Sequence, residues 1–88
     1  MALFFPCLIS GPTEDLGVFV VMVPGPNINA QGPTEVDALL EAAEGLQEAI
    51  NDAVSDGDPL PQPGNIEATR QSGDRLGVLQ AQLPAQAA

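Results

Sequence analysis

The clearest signal in this sequence is helical, and it lies between Thr34 and Gly57. Placed at about 100° per residue, Val36, Leu39, Leu40, Ala43, Leu46, Ile50 and Val54 share one arc, the stripe expected of a helix packed on a sheet. Glu41, Glu44, Glu48 and Asp52 fall on a second arc, and Ala38, Ala42, Gly45, Ala49 and Ala53 form a ridge of small side chains between the two. Thr34 is placed to cap the first turn, where Glu35 and Asp37 suit the positive end of the helix dipole. Ser55-Asp56-Gly57 ends the segment, because glycine accepts the left-handed conformation of a C-terminal cap. At ~1.5 Å per residue, a helix of about 20 residues reaches ~30 Å and covers a small sheet.

Strand signals occupy both flanks. Leu3 to Ile9 is rich in Phe, Leu and Ile and stops at Ser10-Gly11-Pro12; Pro6 inside it removes a ladder donor, which predicts a bulge or an edge position there. After the polar link Thr13 to Gly17, the run Gly17 to Val23 is the strongest β segment and forms a hairpin with the first. Pro24-Gly25-Pro26-Asn27 breaks the chain before a short third strand, Ile28 to Gln31, an edge candidate. Three prolines within Asp58 to Pro63 favour an extended surface stretch. Gly64 to Asp74 is polar and weakly patterned, Arg75 to Leu83 is the last strand, and Pro84 to Ala88 a tail. The expected architecture is α+β: a three-stranded antiparallel sheet (β-β-β), one long amphipathic helix packed on one face of it, and a fourth strand. The 88 residues make a single domain, 1–88, with its core at about 3–63 and a linker, last strand and tail in 64–88. A chain this short keeps a thin stability margin, which self-association would widen.

Charge narrows the function. Two Arg, no Lys and no His stand against twelve Asp and Glu, a net charge of −10. With Arg70 and Arg75 as the only cations, the chain is a poor binder of nucleic acid or of an anionic membrane, and without Trp or Tyr it lacks stacking platforms. The stock of bases and nucleophiles shrinks to carboxylates, hydroxyls and Cys7, so neither an enzyme, a catalytic residue nor a cofactor is expected. Asp52, Asp56 and Asp58 are rich in oxygen but match no calcium-loop spacing, and no metal site is expected. Cys7 reads as a small core residue, Met22 as packing, and Arg70 and Arg75 as a surface pair or as tethers to the acidic surface. One Cys fits a reducing compartment, and the apolar start lacks a basic leader and is too short to span a bilayer; the expectation is a cytoplasmic protein without a membrane partner.

Four segments in order, Glu14-Asp15-Leu16-Gly17, Val18-Phe19-Val20-Val21-Met22-Val23-Pro24, Gln31-Gly32-Pro33-Thr34-Glu35 and Asp56-Gly57-Asp58-Pro59-Leu60-Pro61-Gln62-Pro63, resemble HicB-type antitoxins over roughly residues 3–63. The resemblance is to their partial ribonuclease H-like domain. Two departures stand out: the loop Pro24 to Ala30 is about one residue short and lacks the family's Pro-Gly-Cys, and Pro33 replaces the usual Asp. The resemblance implies a HicB-like partial ribonuclease H fold and an antitoxin that covers the active face of a small basic, messenger-RNA-cleaving toxin of the HicA type. Many relatives of that kind add a C-terminal DNA-binding module; residues 64–88 hold neither a basic patch nor long helical periodicity, so no DNA-binding domain and no direct nucleic-acid contact are expected. Ribonuclease H chemistry needs carboxylates converging on two metal ions, one of them on the first strand, and Leu3 to Ile9 has none.

Charge and exposure select Glu14, Asp15, Asp56 and Asp58 as partner-binding residues. The stripe Glu41, Glu44, Glu48 and Asp52 is either a solvated face or a surface for a basic partner: like charges three or four apart cost a helix ~0.2 to 0.5 kcal/mol per pair, and no Lys relieves them. Ala38, Ala42, Gly45 and Ala49 are either good helix formers or a self-association ridge; Gly45 favours the second, since a mid-helix glycine costs ~1 kcal/mol relative to Ala. A homodimer or higher homo-oligomer is expected through this ridge or through the edge of the last strand. The alternative function is a stand-alone oligomeric HicB-like scaffold or small-ligand module with no toxin partner.

Overall fold

The computed structural model describes residues 1–84, so part of the expected tail, residues 85–88, lies outside the described residues. The elements in chain order are β1 (Ala2–Ser10), β2 (Phe19–Val23), β3 (Ile28–Gly32), α1 (Glu35–Asp56), α2 (Ile66–Thr69) and β4 (Arg75–Gln82). The four strands form one antiparallel sheet in the order β3-β2-β1-β4, with α1 packed on one face. This is the expected α+β architecture, and the fourth strand joins the sheet beside β1. One element was not expected: the short helix α2 in the weakly patterned segment, capped by the Asn65 side chain, which accepts from the amide of Ala68 at 3.3 Å. Four residues are too few to show a hydrophobic period.

The proline in β1 is explained by how little of β1 pairs with β2. That ladder is confined to Leu8–Ser10, whereas β1 and β4 stay in register from Ala2 opposite Gln82 to Ile9 opposite Arg75. At Pro6, opposite Val78, β1 has no β2 neighbour, so the missing donor falls where one side of the strand is already an edge. The proline-rich stretch fills the vacancy nearby: Leu60 packs against the core, and the amide of Gly64 donates to the carbonyl of Pro24 at 2.9 Å. The chains approach so closely there that a Cβ on Gly25, whose φ is 99°, would lie 1.9 Å from the carbonyl oxygen of Gln62.

The helix begins and ends where its caps place it. The Thr34 hydroxyl accepts from the amide of Asp37 at 3.1 Å and donates to its carboxylate at 2.9 Å, and Gly57 closes the last turn with φ 71°. Its rotation about its own axis differs from the expected one. The buried face is Ala38, Ala42, Leu46, Ile50 and Ala53, and the first four form one core with Phe5, Cys7 and Ile9 of β1, Val21 and Val23 of β2, Ala30 of β3 and Leu79 and Ala81 of β4. Val36 and Leu40, expected in the core stripe, are 63% and 59% exposed.

The cause is the close approach of β3 to the helix. Gly32 at the end of β3 is buried, and a Cβ on it would lie 2.8 Å from the Cβ of Asp37 and 2.9 Å from the amide nitrogen of Ala38. Backbones this near admit only small side chains between them, so the first half of α1 turns its alanines inward. Ala38 and Ala42, at 0% exposure, are therefore spent on this chain's own sheet, which corrects their assignment to a self-association ridge. Gly45 and Ala49, part of the same ridge, are half-buried; Gly45 sits over Ile28 of β3.

Candidate partner-binding surface

Turning the alanines inward carries the acidic arc fully into solvent. Asp37, Glu41, Glu44, Glu48 and Asp52 are all exposed and succeed one another every third or fourth residue, a ridge of about 22 Å along α1. Both cations are engaged elsewhere. The Arg75 guanidinium is paired with Glu35 and donates to the carbonyl of Gly11 at 3.5 Å, tying the start of β4 to the start of α1. Arg70 donates to the carbonyl of Asp74 at 3.3 Å, closing its own turn. Among the described residues the ridge has no counter-charge, and its repulsion is relieved only by water, salt or a basic partner.

The four residues selected from the sequence do not form one patch. Glu14 and Asp15 lie in the β1–β2 turn, where the Asp15 side chain accepts from the amide of Leu16 at 3.0 Å. The contacts of Arg75 with Gly11 and Glu35 put this turn at the end of the molecule where α1 starts. Asp56 is the last residue of α1 and Asp58 follows its cap, with its amide donating to the carbonyl of Ala53 at 2.9 Å. A helix of 22 residues is about 33 Å long, so the two pairs mark opposite ends. The ridge runs between them. Its i, i+3 and i, i+4 spacing was readable in the sequence; what the sequence lacked was the rotation that makes it the outermost line of the molecule.

The remaining chemistry is sparse. Cys7 is fully buried opposite Gly77, and desolvation pushes its thiol above the ordinary value, with a backbone contact to Gly77 opposing in part. That keeps the sulfur protonated and inert, as a small apolar core residue. Among the described residues no three His, Cys, Asp or Glu are grouped so as to hold a metal ion, and no helix is long and apolar enough to cross a membrane.

An antiparallel sheet with a single long helix on one face is the fold found in solved structures of HicB antitoxin. The N-terminal domain of the Burkholderia pseudomallei antitoxin HicB superposes with a TM-score of 0.72 at 18% identity, covering 88% of this chain and 95% of that one. The B. pseudomallei antitoxin HicB itself gives 0.69 at 19% identity, over 88% of this chain and 61% of that one. A chain of a toxin–antitoxin complex from Streptococcus pneumoniae gives 0.72 at 17% identity, over 100% of this chain and 80% of that one. No protein-family model and no curated protein matches the sequence. At such identities the likeness is one of fold, and it agrees with the motif resemblance over residues 3–63.

Proposed function

We propose that this chain is the binding half of a toxin–antitoxin pair, neutralising a small basic ribonuclease toxin of the HicA type by covering its active face. The observation that carries the reading is the fold shared with the HicB antitoxin domain and with a chain of a toxin–antitoxin complex. The charge supports it: an uncompensated acidic ridge on a chain of net charge −10 steers a cationic protein and raises its association rate. In this reading Asp37, Glu41, Glu44, Glu48 and Asp52 face the toxin, joined at one end by Asp56 and Asp58 and at the other by Glu14 and Asp15. The role is binding rather than catalysis, and its place is the cytoplasm, where a messenger-RNA-cleaving toxin acts.

The test is co-expression with a HicA-type toxin encoded beside this chain. Growth is restored by the wild type, and association in vitro slows about tenfold or more between low and physiological salt. Glu41→Lys combined with Glu48→Lys weakens the complex at least about tenfold while the fold is retained. Failure of the wild type to bind or to restore growth overturns the antitoxin reading and leaves the second one, a stand-alone oligomeric scaffold, which the exposed apolar residues around β4 favour.

A further inference from the structure

The edge strand β3 has an outer row that can be assigned residue by residue. Val23 and Ile28 close its ladder with β2 next to Pro24, and Pro24 has no N–H to serve a bond beyond that pair. Val23 and Ile28 are therefore a pair that bond each other, and antiparallel pairing alternates from there. Ile28, Ala30 and Gly32 bond to β2, whereas Asn29 and Gln31 turn their N–H and C=O groups away from it. Among the described residues no second strand or loop backbone pairs with that row, which is an open template for an extended chain.

The helix overhangs this edge with its acidic flank. Gly32 lies against Asp37 and Ala38, and Gly45 sits over Ile28, so the stretch from Asp37 to Gly45 runs along β3, about 12 Å of helix beside about 13 Å of strand. Glu41 falls midway. It lines, with Val20, Asn29, Ala30 and Gln31, a trough of ≈ 290 Å³ along the edge. The flank of α1 toward the other edge strand is uncharged where it touches it: Gln47 holds the backbone of Gln82 in β4.

Charge and spacing identify the occupant. Residues across a ladder share a face, so in a strand added to β3 every second side chain stands on the helix side, opposite Ala30 and its neighbours of like parity. Those side chains recur about every 6.6 Å, close to the roughly 6 Å between Asp37 and Glu41 at i, i+4. We propose that β3 takes up an extended segment of a basic partner protein as a fifth strand, with Lys or Arg at alternate positions turned toward Asp37 and Glu41. Pro26 and Pro33 bracket the edge and hold the pairing to the five residues of β3. A second copy of this chain supplies no such segment, since it has no Lys and its two Arg stand five positions apart. The inference rests on the antitoxin reading and adds how the partner is held: by the main chain of β3 as well as by the charge of α1.

The test is hydrogen exchange at the Asn29 and Gln31 amides of the wild-type chain, with and without a HicA-type toxin encoded beside it. Bound toxin slows both amides at least about tenfold, and Gln31→Pro, which removes an outward donor and none of the bonds to β2, weakens the complex at least about tenfold with an unchanged circular dichroism spectrum. The exchange result stands even if that variant fails to fold. A complex in which both amides exchange as in the free chain, or one indifferent to Gln31→Pro, overturns strand addition and leaves the antitoxin reading intact. If no toxin binds, the antitoxin reading falls, and a synthetic peptide of four Lys-Val repeats decides the inference. Protection of the two amides by this peptide, and not by the same peptide N-methylated throughout, sustains strand addition; equal protection by both, or by neither, overturns it. Protection that rises with the concentration of this chain alone overturns it in favour of a second copy.

Discussion

The inward and outward faces of α1 carry side chains of unexpected size. Inward lie Ala38, Ala42 and Ala53 with Leu46 and Ile50, all buried; outward, beside the acidic ridge, lie Val36 and Leu40, more than half exposed. The lesson is that a helix buries what its neighbours leave room for, not its largest side chains. Where Gly32 of β3 lies against the helix backbone at Asp37 and Ala38 the inward residues are alanines, and Leu46 and Ile50 are buried further along, in the same core as Phe5, Val21 and Val23.

That contrast can be broken by substitution. Ile50→Ala removes a fully buried branched side chain and is expected to destabilise by about 2 to 5 kcal/mol, read as a lower midpoint in urea with an unchanged slope. Ala42→Leu adds volume at a position with 0% exposure and costs about 1 to 3 kcal/mol, whereas Leu40→Ala on the outer face changes monomer stability by less than about 0.5 kcal/mol. If enlarging Ala42 proves harmless and trimming Leu40 proves costly, the rotation of the helix is wrong. Gly45→Ala sharpens the picture at the boundary: a Cβ there meets Ile28 Cγ2 at 3.5 Å, an ordinary contact, so thermal unfolding is expected to show a gain of up to about 1 kcal/mol from helix propensity.

Much of the fold was legible because each signal is local. Thr34, Gly57 and the breakers at Gly11-Pro12 and Pro24-Gly25 act through one or two hydrogen bonds or a fixed φ, and the elements they bound appear within two residues of the expected places. The acidic ridge was legible for the same reason, as a spacing on one helix. The placement of the four acids chosen for a partner was not: Glu14 with Asp15 and Asp56 with Asp58 look alike in composition, yet the path of the chain sends them to opposite ends. The helix α2 escaped because a single turn shows no period.

By itself the sequence determined the set of elements, the hairpin, the length of α1 and the separation of its acids from its apolar residues, since caps, breakers and period act within a few residues. The tertiary structure alone decided the rotation of α1 and the exposure of the β4 edge. The apolar and small residues of α1 together cover a wider arc than one sheet can bury, so the period permits several rotations; the approach of β3 at Gly32 selects one. The place of β4 beside β1 is a contact between residues about seventy positions apart, which no local pattern encodes, and it leaves β4, the longer of the two edge strands, at the edge.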